Sequence, residues 1–158
     1  MDAASRGHHA GRKSKNVYTV GLTIRLPKEQ KESYHLDVKK DFNKFSKRLD
    51  NFIHLSNVVV VAPGGIGTML ELMYTWQLVQ VKYSCSIPII LFGGVWEDFI
   101  KWIKKGPLRN KFLDKEDLDL LYQAKNCSEA MKIINMAYNE YKKGTKNICL
   151  NIKRYRIR

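Results

Sequence analysis

The chain has 158 residues and a net charge of +13, with 44% of its residues hydrophobic, which is enough for one globular core and too little for two large ones. No apolar run approaches the about 18 residues of a membrane span, and no charged start followed by an apolar stretch marks a secretory leader, so the cytoplasm is the expected compartment and no membrane partner is expected. Cys85, Cys127 and Cys149 lie far apart, with no Cys-x-x-Cys and no histidine at ligand spacing, and read as free thiols; no metal site is expected.

In chain order, residues 1–10 read as the end of a helix and 17–24 ("VYTVGLTI") as a strand. A polar loop at 27–37 leads to a helix over 38–54 and a strand over 57–62. A glycine-rich turn opens a helix running to about 82, and "SIPIILF" (86–92) is a strand followed by a helix over 96–105. After a Gly-Pro break at 106–107 come a short strand near 118–124 and a helix over 128–142 with Ser128 as its N-cap. Strands that alternate with helices imply βαβ units and a parallel sheet, so the fold class is α/β. Residues 143–158 read as a basic tail.

The positive charge invites a polyanion partner, because clustered cations neutralise phosphates and release counterions. Two clusters stand out, "RGHHAGRKSK" (Arg6–Lys15) and "KRYRIR" (Lys153–Arg158). Neither belongs to a helix-turn-helix, zinc-finger or RNP pattern, so both read as solvated surface and no nucleic-acid partner is expected.

The stretch "NVVVVAPGGIGTMLELMYTW" (Asn57–Trp76) carries the chemistry. Val58 to Val61 fit a parallel strand covered on both faces. The glycines that follow admit positive φ and close ligand approach, and the first amides of the next helix face the loop unpaired, which together suggest an anion site. The turn lacks both the full P-loop and the full dinucleotide signature.

On the helix before this stretch, Phe42, Phe45, Leu49, Phe52 and Ile53 form an apolar stripe with Arg48 at its edge. On the helix after it, Met69, Leu72, Met73, Trp76 and Val79 form the core stripe, leaving Glu71 on the opposite side within the first turn. Thr68 to Glu71 is also T-x-x-E, a capping box in which Thr68 caps the helix and Glu71 reaches back to it. Spacing alone leaves Glu71 open between capping and chemistry.

"PGGIGTMLE" (Pro63–Glu71) resembles the P-G-G-x-G-T-x-x-E motif of the LOG family of nucleoside 5′-monophosphate phosphoribohydrolases, also labelled lysine decarboxylase-like. That family has an arginine fifteen residues before the motif's proline, where Arg48 stands. "MDAASRGHHAG", "VGLTIRLPKEQ" and "PIILFGGVWEDFIKW" are similar to further family segments, and the resemblance spans residues 1–142. It implies a Rossmann-like sheet with helices on both faces and hydrolysis of an N-glycosidic bond to free base and ribose 5-phosphate. By the same resemblance Gly64, Gly65, Ile66, Gly67 and Thr68 bind the phosphate, Arg48 and Glu71 are catalytic, and Glu29 contacts substrate. It also implies no cofactor and a homodimer; a nucleotide-binding module of the same fold without turnover is the second reading.

The chain departs from the family pattern in two ways. Leu49 stands where many members carry lysine. Members also have a strand, a helix, a second strand and a glycine-rich loop before the segment that Met1 matches. Since the first of those strands is central, strands 17–24 and 57–62 are expected to lack a common neighbour here.

Overall fold

Every strand pair among the described residues is parallel, as alternating strands and helices require. The computed structural model describes residues 2–14, 16–25, 35–84 and 86–144. They fall in two compact units, residues 1–54 and 55–158.

The first unit holds α1 (Asp2–Gly11), β1 (Val20–Ile24), β2 (Val38–Phe42) and α2 (Phe45–His54). β1 and β2 pair with Val20 opposite Val38 and Ile24 opposite Phe42. A single helix over 38–54 was expected, but its first five residues are this strand. The error has a physical source: Phe42 falls in helical register with Phe45 and Leu49, while "VKKDF" buries only Phe42 and so shows no strand alternation. α2 buries Leu49 and Ile53 and leaves Phe45 exposed.

α1 buries no residue, so polar contacts tie it to the sheet. His8 Nδ1 lies 2.6 Å from Thr19 Oγ1, and Arg12 meets the Asp37 carboxylate at 2.7 Å. The same carboxylate accepts the Thr19 N–H at 2.8 Å. These two donors, Arg12 first, hold the Asp37 carboxyl down at about 2. The expected polar loop at 27–37 lies mostly outside the described residues, and Glu29 with it.

The second unit contains β3 (Val59–Val61), α3 (Ile66–Gln80), β4 (Ile89–Phe92), α4 (Trp96–Ile103), α5 (Lys115–Leu118), β5 (Leu121–Ala124) and α6 (Cys127–Lys142). Its sheet runs β3-β4-β5. On one face Ile90, Tyr122 and Ala124 pack with Ala130, Ile133 and Ala137 of α6. On the other, Val59, Val61, Ile89, Leu91 and Leu121 are buried, and α3 packs on β4. Val60, by contrast, is 46% exposed, so β3 is not covered on both faces as its valines suggested. It is an edge strand among the described residues, and β1 and β3 share no neighbouring strand there.

Three local expectations are corrected. The backbone does not break at Gly106-Pro107; α4 runs on into a π-helical turn, Lys104–Leu108, with Pro107 inside it. A wider turn relieves the proline ring's clash with the preceding turn and needs no donor from it. α5 was not foreseen; Asp114 and Asp117 close a capping box around its start. α6 is capped by Asn126 and not by Ser128: the Asn126 side chain accepts the Glu129 N–H at 3.0 Å, and the Glu129 carboxylate accepts the Lys125 N–H at 2.8 Å. Of the tail, residues 145–158 lie outside the described residues, and no described helix is long and apolar enough to cross a membrane.

Candidate functional site

The parallel sheet of the second unit ends its strands at one edge, and the glycine corner sits there, where open α/β sheets bind ligands. β3 is pinned at that edge by the buried Trp96, whose indole N–H donates to the Val61 carbonyl at 3.1 Å. Beside it the chain leaves β4 through Gly93, whose φ of 96° belongs to the left-handed region. A Cβ on Gly93 would lie 3.6 Å from the Pro63 ring, so the ends of β3 and β4 pack closely. Gly93 and Trp96 were not singled out as parts of this corner; the glycine pair after "IILF" was the available signal.

α3 starts at Ile66, with Gly65 as an extended N-cap at φ −95° that provides no side-chain cap. The capping box read from T-x-x-E is therefore corrected. Thr68 is the third residue of the helix and Glu71 the sixth, beyond the first turn, where a side chain cannot serve the cap. Thr68 instead lies against Gly64: a Cβ at Gly64 would fall 2.8 Å from the Thr68 Cβ.

Among the described residues no hydrogen bond reaches the amides of Ile66, Gly67 and Thr68; the first α3 amide bonded to the chain is Met69, to the Gly65 carbonyl at 3.0 Å. Gly64, Gly65, Ile66 and Gly67 are exposed, Ile66 to 90%. Three unpaired amides at the positive end of a fifteen-residue helix form a donor set for an anion. Glu71 is half-buried, and its carbonyl accepts the Thr75 hydroxyl at 2.7 Å, which fixes the helix around it. It stands about 7 Å along the axis from the helix start.

The expected core stripe of α3 is partly corrected. Leu72, Thr75, Trp76 and Val79 are buried, Met69 is half-buried, and Met73 is exposed beside Leu70.

Arg48 belongs to the first unit, on α2. It is half-buried, and its Nε donates to the Leu22 carbonyl of β1 at 2.8 Å, so one edge of the guanidinium is aligned by the strand. Thus Gly64, Gly65, Ile66, Gly67, Thr68 and Glu71 come together on one corner, Arg48 is positioned within the other unit, and Glu29 lies outside the described residues. No group of three or more His, Cys, Asp or Glu able to hold a metal ion occurs among the described residues.

The family model described as "possible lysine decarboxylase" matches residues 1–134. Among solved structures the chain is similar to TM1055, a structural-genomics target known from X-ray analysis. The two are 26% identical with a TM-score of 0.57, over 85% of this chain and 71% of that one. No curated protein matches. With the family model covering most of its length and a relative of the same fold, the chain belongs to the lysine decarboxylase-like, LOG-like family.

Proposed function

We propose that the protein hydrolyses the N-glycosidic bond of a nucleoside 5′-monophosphate. The observation that carries the reading is the set of three α3 amides without a partner among the described residues, set behind an exposed glycine corner. The 5′-phosphate rests on these amides, and that remote grip orients the ribose for reaction. Glu71, farther along the same helix, takes the ribose hydroxyls and the attacking water. Water oxygen adds to the anomeric carbon as the carbon's bond to the base nitrogen breaks and its electron pair leaves with the base; the carboxylate, which stabilises the oxocarbenium-like centre, accepts the water's proton and returns it to the departing base nitrogen. Arg48 supplies a cation to the reaction, its fork suiting phosphate or carboxylate. No organic cofactor is needed.

The experiment is incubation with AMP, reading free adenine by chromatography, with the Glu71→Gln variant beside the wild type. The expected result is base release that falls by about a hundredfold or more in the variant. AMP binding without base release in the wild type would replace this reading by a nucleotide-binding module.

A homodimer and a cytoplasmic location complete the proposal. Ile66, Leu70 and Met73 are exposed apolar side chains of α3, suited to cover by a second copy, and sedimentation decides the mass. Cys127 is an exposed free thiol, as a reducing compartment permits.

A further inference from the structure

Trp102 is the exposed end of a row of three aromatic rings along α4. Trp96 is buried and held to the Val61 carbonyl; Phe99 meets it edge-on with ring centres 5.8 Å apart. Trp102 lies tilted against Phe99 at 6.2 Å and is itself 58% exposed. Its ring is thus braced on one side and open on the other. Farther on, Phe112 is 83% exposed, in a turn closed by the Phe112 N–H donating to the Pro107 carbonyl at 2.9 Å and by Lys111 at a left-handed φ of 59°.

Cations lie between these two rings along the chain. Between Trp102 and Phe112 the sequence holds Lys104, Lys105, Arg109 and Lys111 and no acid. Lys105, Arg109 and Lys111 are exposed and, among the described residues, pair with no carboxylate. Of the nearby acids, Asp98 is engaged by Lys101 at 2.9 Å, Glu97 by Lys125 at 3.9 Å, and Asp114 and Asp117 in the α5 capping box, while Glu116 on α5 is exposed. Lys105 lies within the π-helical turn that continues α4 beyond Trp102, and Arg109 follows that turn directly.

We propose that this surface of α4 and the turn after it binds single-stranded nucleic acid. Trp102 and Phe112 each stack a base, and Lys105, Arg109 and Lys111 contact phosphates. A flat ring held from behind stacks on a base without losing rotamer freedom, and unpaired bases alone offer their faces. Isolated rings with cations between them match the alternation of base and phosphate, whereas insertion into a lipid surface needs a continuous apolar face, which Lys101, Lys104 and Lys105 interrupt. The basic clusters noticed in the sequence lie at the chain's two ends; this one emerges only when the fold exposes the rings.

The test is fluorescence anisotropy of the full chain with a labelled oligouridine of about twelve nucleotides, at low and moderate salt. Saturable binding is expected, weakened about fivefold or more by Trp102→Ala and by Phe112→Ala and little changed by Trp102→Phe. The double variant Lys105→Glu, Arg109→Glu should weaken it further and flatten its salt dependence. All these positions are exposed, so circular dichroism should be unchanged. If one alanine variant does not fold, the other carries the stacking arm. Absence of binding overturns the proposal, as does binding that ignores both rings, or binding confined to vesicles containing phosphatidylserine.

Discussion

Gly64, Gly65 and Gly67 are equivalent in the motif, and the structure gives them different reasons to be glycine. At Gly64 an added Cβ meets the Thr68 side chain at its root, Cβ to Cβ at 2.8 Å, so the first turn of α3 must shift. Gly64→Ala is therefore expected to destabilise the fold by about 1–3 kcal/mol, as overpacking does. At Gly65 and Gly67 a Cβ meets nothing within 4 Å. Alanine inside a helix is better than glycine by about 0.5–1 kcal/mol, so Gly67→Ala should melt no lower than the wild type, whereas Gly65 is the N-cap, where alanine is worse than glycine, and Gly65→Ala should cost about 0.5–1 kcal/mol. Under the proposed function their glycine character serves an incoming phosphate. Both variants are expected to raise KM for AMP, Gly67→Ala at unchanged Tm, and a KM that stays at the wild-type value in both would remove the phosphate from this corner. Spacing showed that three glycines stand together; only packing separates the one at which a Cβ would clash from the two at which it would not.

Elements were legible where burial is strong and obscure where it is weak. β3 and β4 announce themselves as runs of Val, Ile and Leu, and α3 and α6 as long helical patterns. β2 was read as helix because four of its five residues are exposed and its hydrogen bonds go to β1, a long-range partner that local pattern does not record. The caps failed for a different reason. Thr68 and Ser128 are good cap residues, but the backbone leaves the extended conformation earlier, at Gly65 and Asn126. For α6 the consequence is measurable. Asn126→Ala removes the acceptor for the Glu129 amide and should cost about 1 kcal/mol, while Ser128→Ala, inside the first turn, should change stability by a few tenths. Chemical denaturation of the two variants decides it; equal losses would return the cap to Ser128.

The two units differ in how they are held, and the whole chain should open accordingly. Of the buried apolar side chains among the described residues, only Phe42, Leu49 and Ile53 belong to residues 1–54; the others lie in residues 55–158. Each such side chain contributes about 1.5–3 kcal/mol, against about 1–2 kcal/mol lost for every backbone residue ordered, so three of them cannot match the second unit's core. α1 adds no burial and depends on Arg12, Asp37 and Thr19. Acid acts on that bond. Asp37 is lowered from 3.8 to about 2, so its contribution is fully present above 3.8 and is lost as the pH falls through about 2. Asp41, lowered by the Thr23 hydroxyl first and then by Lys39, loses its contribution in the same direction. Limited pepsin digestion between pH 4 and pH 2, mapped by mass spectrometry, should therefore cut within residues 1–54 first and increasingly as the pH drops, while β4 and β5 stay intact. Asp37→Asn should give at pH 4 the cleavage that the wild type shows nearer pH 2. Early cuts in β4 or β5, or a variant as resistant as the wild type at pH 4, would mean that the first unit draws its stability from something other than its three side chains and this carboxylate.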